Sequence, residues 1–330
     1  MTQPSHEDLI TLRELPGVGE RTLCRLIALL EQRGETVRGM LEANPARLVE
    51  LYQMPDSAIR RLTVQRDQHL ARCRWIAEEL RRAGARVVTA TDAGFPPMLA
   101  RSLKAPAPML FTLGRLAILR APCLAILSSR GVVDHTLQAL VTTIRAARAA
   151  GVSIAIGGMK STHRLAAMTS RAVGASRIVV LDRGLFAAFG YDYRSDPFGC
   201  GDRPAILDRG STLVLSTFRP EDHAAPDSAR RRDQLITALG HVVFATSARP
   251  GGEVEQTCLA ALDGGKRVLV WGDHNQTLIA AGAQKVDAAR IESGLSQFFG
   301  RQGAAECLEH RPAPTSIPHR KNRRPRSLGA

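Results

Sequence analysis

The sequence predicts an α/β protein in which a small all-helical unit precedes a mostly parallel, doubly wound sheet. Three observations predict it. Past Ala85, short β-branched runs alternate with stretches of helical periodicity. Before Ala85, apolar residues recur at helical spacing and no strand pattern appears. The helices between the runs stop at glycines, which end helices readily because they tolerate left-handed backbone.

The helical unit is expected over residues 1–84. Leu23, Leu26, Ile27 and Leu30 share one helix face, and Leu70, Cys73, Ala77 and Leu80 share another. Pro45 and Pro55 sit where short helices begin or break. No internal repeat is apparent. The sheet unit is expected over residues 85–290, with strands at Arg86–Thr89, Cys123–Leu127, Val152–Ile156, Arg177–Leu181, Thr212–Leu215, His241–Ala245 and Arg267–Trp271. One amphipathic helix carries Leu137, Leu140, Val141 and Ile144 and ends at Gly151. A second carries Leu235, Ile236 and Leu239 and stops at Gly240; a third carries Val254, Cys258, Ala261 and Leu262 and stops at Gly264 and Gly265. Such alternation makes a Rossmann-like sheet covered on both faces, with ligands outside the carboxyl ends of its strands. Residues 291–330 are expected to hold one short helix and then a proline-rich, basic, disordered tail.

Composition narrows the function classes. The chain is 44% hydrophobic and 23% charged, which is ordinary for a folded globular protein. Forty-five Lys and Arg against 31 Asp and Glu give a formal charge of +14, the balance of a protein that meets a polyanion. Only five of those cations are lysine, so arginine-rich codon usage is an alternative source of the bias. The six cysteines stand far apart and the nine histidines lack metal-ligand spacing, so neither disulfides nor zinc are expected. The amino terminus lacks the pattern of a signal peptide, and no apolar run approaches a membrane span. A cytoplasmic location follows as the expectation, with no membrane partner. Neither a GxSxG elbow nor a GxxxxGK[ST] loop is present, and no cofactor, metal or catalytic residue is expected.

Two groups of residues carry binding chemistry. In Leu15–Leu26, Gly17 and Gly19 allow a tight turn between helices, with Val18 tucked between them. The amides of that turn could cradle a phosphate beside Arg21 and Arg25, the logic of a helix-hairpin-helix that grips DNA without reading bases. A plain structural turn is the alternative. The second group is Arg230, Arg231 and Arg232, which open a helix where the dipole disfavours cations and so suggest an outside anion. The competing reading is a solvated face paired with Asp227 and Asp233.

The frame of the sheet resembles the DNA-processing protein A (DprA/Smf) family, as a divergent member. Phe95-Pro96, Leu99, Pro106, Pro108, Leu110-Phe111 and a short strand ending in Gly114 fit its entry segment. Its Gly-Ser/Thr-Arg appears as Ser128-Ser129-Arg130. Its Ser-Gly, then Gly-Ile-Asp and a His, become Gly157-Gly158-Met159-Lys160 and Thr162-His163-Arg164. Its Arg-Asn-Arg becomes Arg232-Asp233-Gln234, and its Asn-x-Leu-Ile becomes Gln276-Thr277-Leu278-Ile279, followed by Gly282-Ala283. The resemblance covers roughly Leu12 to Val286. The family's Asp falls near Arg164 and its His near Met168, so much of the site is substituted. The resemblance implies a non-catalytic protein that binds single-stranded DNA and protects it. It further implies a homodimer that passes DNA to a RecA-type recombinase in natural transformation or recombination. The candidate DNA contacts are Arg130, Gly157, Gly158, Lys160, Arg164, Arg230, Arg231 and Arg232, assisted by Gly17, Gly19 and Arg21.

Two other readings stay open. Arg249-Pro250-Gly251-Gly252-Glu253 is similar to the phosphate loop of nucleotide phosphoribohydrolases, but its Gly-Thr pair is missing, and Glu253 and Glu255 would repel a phosphate. A degenerate nucleotide-sensing or interaction protein on the same scaffold is the other.

Overall fold

The computed structural model describes residues 4–89, 92, 95–96, 99, 109–129, 134–158, 161–191, 193, 207–273 and 275–299. Six helices come first: α1 (His6–Arg13), α2 (Glu20–Arg33), α3 (Val37–Leu41), α4 (Pro45–Glu50), α5 (Asp56–Val64) and α6 (Arg66–Arg82). Their starts obey local rules. Ser5 and Asp8 close a capping box on α1, Asn44 caps α4 with Pro45 in its first turn, and Gly34 ends α2 at φ 65°. The expected faces point inward: Leu23, Leu26 and Leu30 are buried, as are Cys73 and Leu80, with Ile76 beside them.

The sheet unit runs β1 (Ala85–Thr89), β2 (Met109–Gly114), β3 (Cys123–Ser128), α7 (Asp134–Ala150), β4 (Ser153–Gly157), α8 (Ser161–Val173), β5 (Arg177–Val180) and α9 (Leu185–Phe189). It continues with β6 (Thr212–Ser216), α10 (Ser228–Leu239), β7 (Val242–Ser247), α11 (Glu253–Asp263), β8 (Arg267–Trp271), α12 (Gln276–Ala280), β9 (Gln284–Val286) and α13 (Ala288–Gly294). The seven expected strands are present with ends moved by a residue or two, and β2 ends at Gly114 as the family frame implies. The short β9 was not expected. Three residues at the sheet's far edge leave too little periodicity to read.

The strands lie in the order β1-β2-β6-β5-β4-β3-β7-β8-β9. Neighbours from β6 to β9 are parallel, while β2 runs antiparallel to both β1 and β6. The chain moves outward from β3 in both directions, so the switch point lies between β3 and β7. Alternation divides each central strand between two apolar layers. Leu124 and Ile126 of β3 face α7 and α8, whereas Ala125 and Leu127 face α10 and α11.

The first of those layers crosses residue 84. Leu9, Leu23, Leu62 and Ile76 from the helical unit belong to one cluster with Ile126, Ile144 and Phe244. Ile291, Leu295 and Phe298 join the same cluster, although the sequence signal fades there. The helical unit is thus fused to one face of the sheet unit.

Candidate nucleic-acid interface

At the carboxyl edge of the sheet, β4 ends in Gly157 and Gly158, both buried. A β-carbon on Gly157 would lie 2.5 Å from His163 Nδ1 and 2.8 Å from Arg232 Nε. Glycine is therefore required here by close approach. His163 lies in the first turn of α8 and Arg232 just past that of α10, so two helix amino ends meet over one residue. Both side chains are sealed, at 1% and 2% exposure. Thr162, also buried, holds its hydroxyl without a hydrogen-bond partner among the described residues.

The three arginines of the triplet stand in three different environments. Arg232 donates from Nη1 to Asp182 Oδ2 and from Nε to Asp233 Oδ1, each at 2.9 Å. Arg183 Nε donates to the other oxygen of Asp182 at 3.0 Å, so two cations and two carboxylates balance. A buried arginine held this way cannot also grip a strand without exposing two carboxylates. Arg231 stands 2.5 Å from Glu20 and lies 4.5 Å above the Phe218 ring, tying α10 to the start of α2. Arg230 is exposed and makes no ion pair among the described residues. On α8, Arg164 is also exposed. Arg130 and Lys160 lie outside the described residues.

The turn between α1 and α2 has the expected positive backbone, with Gly17 at φ 77° and Val18 fully buried. Its surroundings are structural. A β-carbon on Gly17 would sit 2.9 Å from Pro55 Cβ and 3.0 Å from Ser57 Oγ. Arg13 donates to Val18 O (3.1 Å) and Thr217 O (3.3 Å), and Arg219 donates to Leu15 O (2.9 Å) and Val18 O (3.4 Å). These bonds fasten the turn to the loop after β6. Gly19 and Arg21 remain exposed, with open space where a Gly19 side chain would be. Burial pushes the carboxyl of Glu14, which ends α1, up to about 7 against the pull of Arg219.

The same turn occurs twice, a repeat missed in the sequence. Leu12, Leu15, Gly17, Val18 and Glu20 correspond to Leu48, Leu51, Gln53, Met54 and Asp56 between α4 and α5. Gln53 has a positive φ of 45°, and Met54 is buried as Val18 is. The copies contact reciprocally. Ser57 Oγ donates to Pro16 O at 3.1 Å, and Arg25 Nη2 donates to Gln53 O at 2.9 Å. Glutamine in place of glycine concealed the match.

The loop after β7 is closed by its own carboxylate. Gly251 N donates to Glu255 Oε2 at 2.7 Å, and Glu255 is buried, so the place of a loop-bound anion is taken. Beside it, Ser129 N donates to Ser247 O at 2.8 Å and Arg249 N to Ser129 Oγ at 2.9 Å, knitting the two sides of the switch point. His163 and Asp182 were not singled out in the sequence. Their one available signal was position, Asp182 just after β5 and His163 early in the helix that follows β4.

Among the described residues, no helix is long and apolar enough to cross a membrane. Residues 86–292 match the family model of DNA recombination-mediator protein A. The chain is similar in structure to DNA processing protein A from Streptococcus pneumoniae, with a TM-score of 0.66 at 18% identity, over 88% of this chain and 98% of that one. It is also similar to DNA processing protein A from Helicobacter pylori, a structure concerned with that protein's single-stranded DNA binding mode. There the TM-score is 0.51 at 19% identity, over 64% of this chain and 96% of the other. Identities this low show a shared fold. No curated protein matches by sequence.

Proposed function

Because the chain belongs to the DNA recombination-mediator protein A family, we propose that it binds single-stranded DNA along the carboxyl edge of its sheet without catalysing a reaction on it. The observation that carries this reading is the meeting of α8 and α10 over Gly157, each helix presenting an exposed arginine nearby, Arg164 and Arg230. A cation in the first turn of a helix is unfavourable by about 0.3–1 kcal/mol, and an external anion reverses the sign. The Thr162 hydroxyl, which has no hydrogen-bond partner among the described residues, lies in the same first turn of α8. Gly158 follows Gly157 on that edge; Arg130 and Lys160, outside the described residues, are the further candidates for contact with the strand. The Helicobacter relative makes a single strand the first ligand to test. By the family's role, a homodimer would pass the strand to a RecA-type recombinase during recombination or natural transformation.

The turn at Gly17 acts, in this reading, as the joint that orients the helical unit; Gly19 and Arg21 are its remaining exposed donors. A salt titration of oligo(dT) anisotropy tests the interface. Replacing both Arg164 and Arg230 with Ala flattens the slope of log K against log salt by about 1.4, roughly 0.7 for each phosphate no longer neutralised. An unchanged slope removes both arginines from the interface.

A further inference from the structure

The opposite edge of the sheet gathers arginines for which the carboxyl-edge reading has no use. Where β4, β5 and β6 begin, Arg115, Arg148, Ser176 and Ser211 line a cavity of about 220 Å³ that has no acidic residue in its wall. Arg148, in the last turn of α7, is half-buried, and its Nε is sealed from solvent without a hydrogen-bond partner among the described residues. Arg115 follows β2, is exposed, and makes no side-chain hydrogen bond or ion pair among the described residues. Arg145 and Arg171, exposed near the ends of α7 and α8, add to the positive field.

Helix dipoles alone do not account for this cluster. An arginine near a helix carboxyl end normally serves the last carbonyls. Here two of those carbonyls in each helix are already taken by the turn that follows. Val152 N donates to Ala147 O at 2.9 Å and Gly151 N to Arg148 O at 3.3 Å; Ala175 N donates to Ser170 O at 2.8 Å and Gly174 N to Arg171 O at 3.3 Å. The neighbouring acid, Asp208, accepts from the Ser211 hydroxyl and from the amides of Gly210 (3.0 Å) and Ser211 (3.4 Å). Its carboxylate is engaged within its own turn. A sealed guanidinium nitrogen left unmatched beside a second arginine is a donor set in want of an oxyanion.

We infer that this cavity binds a phosphate group, at a site separate from the carboxyl-edge crevice. Two guanidiniums and the Ser176 hydroxyl supply the donors, and the volume suits a single phosphate. The phosphate belongs either to a nucleic-acid backbone passing the amino edge or to a free phosphate ester. The inference does not depend on the carboxyl-edge reading, because inorganic phosphate probes the cavity alone.

The test uses the full chain. Titrating inorganic phosphate by ³¹P NMR is expected to show saturable binding in the wild type and in the R164A/R230A variant. Binding weakens about tenfold in Arg115→Ala, which removes one charge-assisted hydrogen-bond donor, and further in R115A/R148A. Arg115 lies on an exposed turn, so its replacement keeps the test valid if the double variant folds poorly. A strand titration then assigns the source. A shallower salt slope for a long oligo(dT) in R115A marks a backbone phosphate, and an unchanged slope marks a free phosphate ester. Absence of saturable phosphate binding in the wild type, or its full retention in R115A, overturns the inference.

Discussion

Residues 1–83 carry thirteen arginines against twelve carboxylates, whereas residues 84–330 carry thirty-two lysines and arginines against nineteen. The two regions use the same cation differently. In the helical unit, Arg13 and Arg25 hold turn carbonyls, while Arg33, Arg47 and Arg82 pair with glutamates. In the sheet unit, Arg232 is also consumed internally, yet Arg230, Arg164 and Arg115 stay at the surface near helix or strand ends. A formal charge of +14 therefore points to a polyanion without saying where it binds. The near-neutral helical unit is the less suited of the two, even though it holds the motif most suggestive of DNA.

The sharpest break would come within the triplet. Arg232→Ala takes the buried cation from Asp233 and leaves Asp182 with Arg183 alone, and is expected to cost about 3–5 kcal/mol in urea unfolding. Arg230→Ala should change stability by less than about 0.5 kcal/mol. Equal costs would mean that the two arginines share one environment.

A smaller effect tests the joint between the regions. The Glu14 carboxyl titrates near 7 in the folded protein against an ordinary value of 4.5. Between those values the native state holds a proton that the unfolded chain releases, so this group's contribution falls as pH rises through that window. Glu14→Gln is expected to raise Tm by a few degrees at pH 8 and by much less at pH 5. A uniform shift at both pH values would show that Glu14 is not the titrating group.

The smallest effect decides between joint and grip. Glu20→Ala removes an ion pair that is partly open to solvent and should cost about 1 kcal/mol or less. It should leave the salt slope for oligo(dT) unchanged. A steeper slope would mean that the amino end of α2, freed of its carboxylate, takes a phosphate, and the helical unit would then share the interface.

Much of the architecture was legible because its causes are local. Alternation along Cys123–Leu127, the α7 face of Leu140 and Ile144, and the glycine after it at Gly151 each follow from a few neighbouring residues. The site was legible only in part. Gly157 and Arg232 were singled out as phosphate contacts, but the close approach of Arg232 to Gly157 was not legible. His163 gave no local cue, and the second turn at Gln53 hid behind a substitution that its surroundings tolerate.

By itself, the sequence determined the order of strands and helices, the two-layered sheet, the family and the basic balance of the chain. Those depend on periodicity, caps and composition, which act over one or two turns. The tertiary structure alone decided which arginines are spent. Asp182 reaches Arg232 across fifty positions, and Glu20 reaches Arg231 across more than two hundred. A cation's availability depends on which carboxylate the fold delivers to it, and that distance in space is not written in any local stretch of chain.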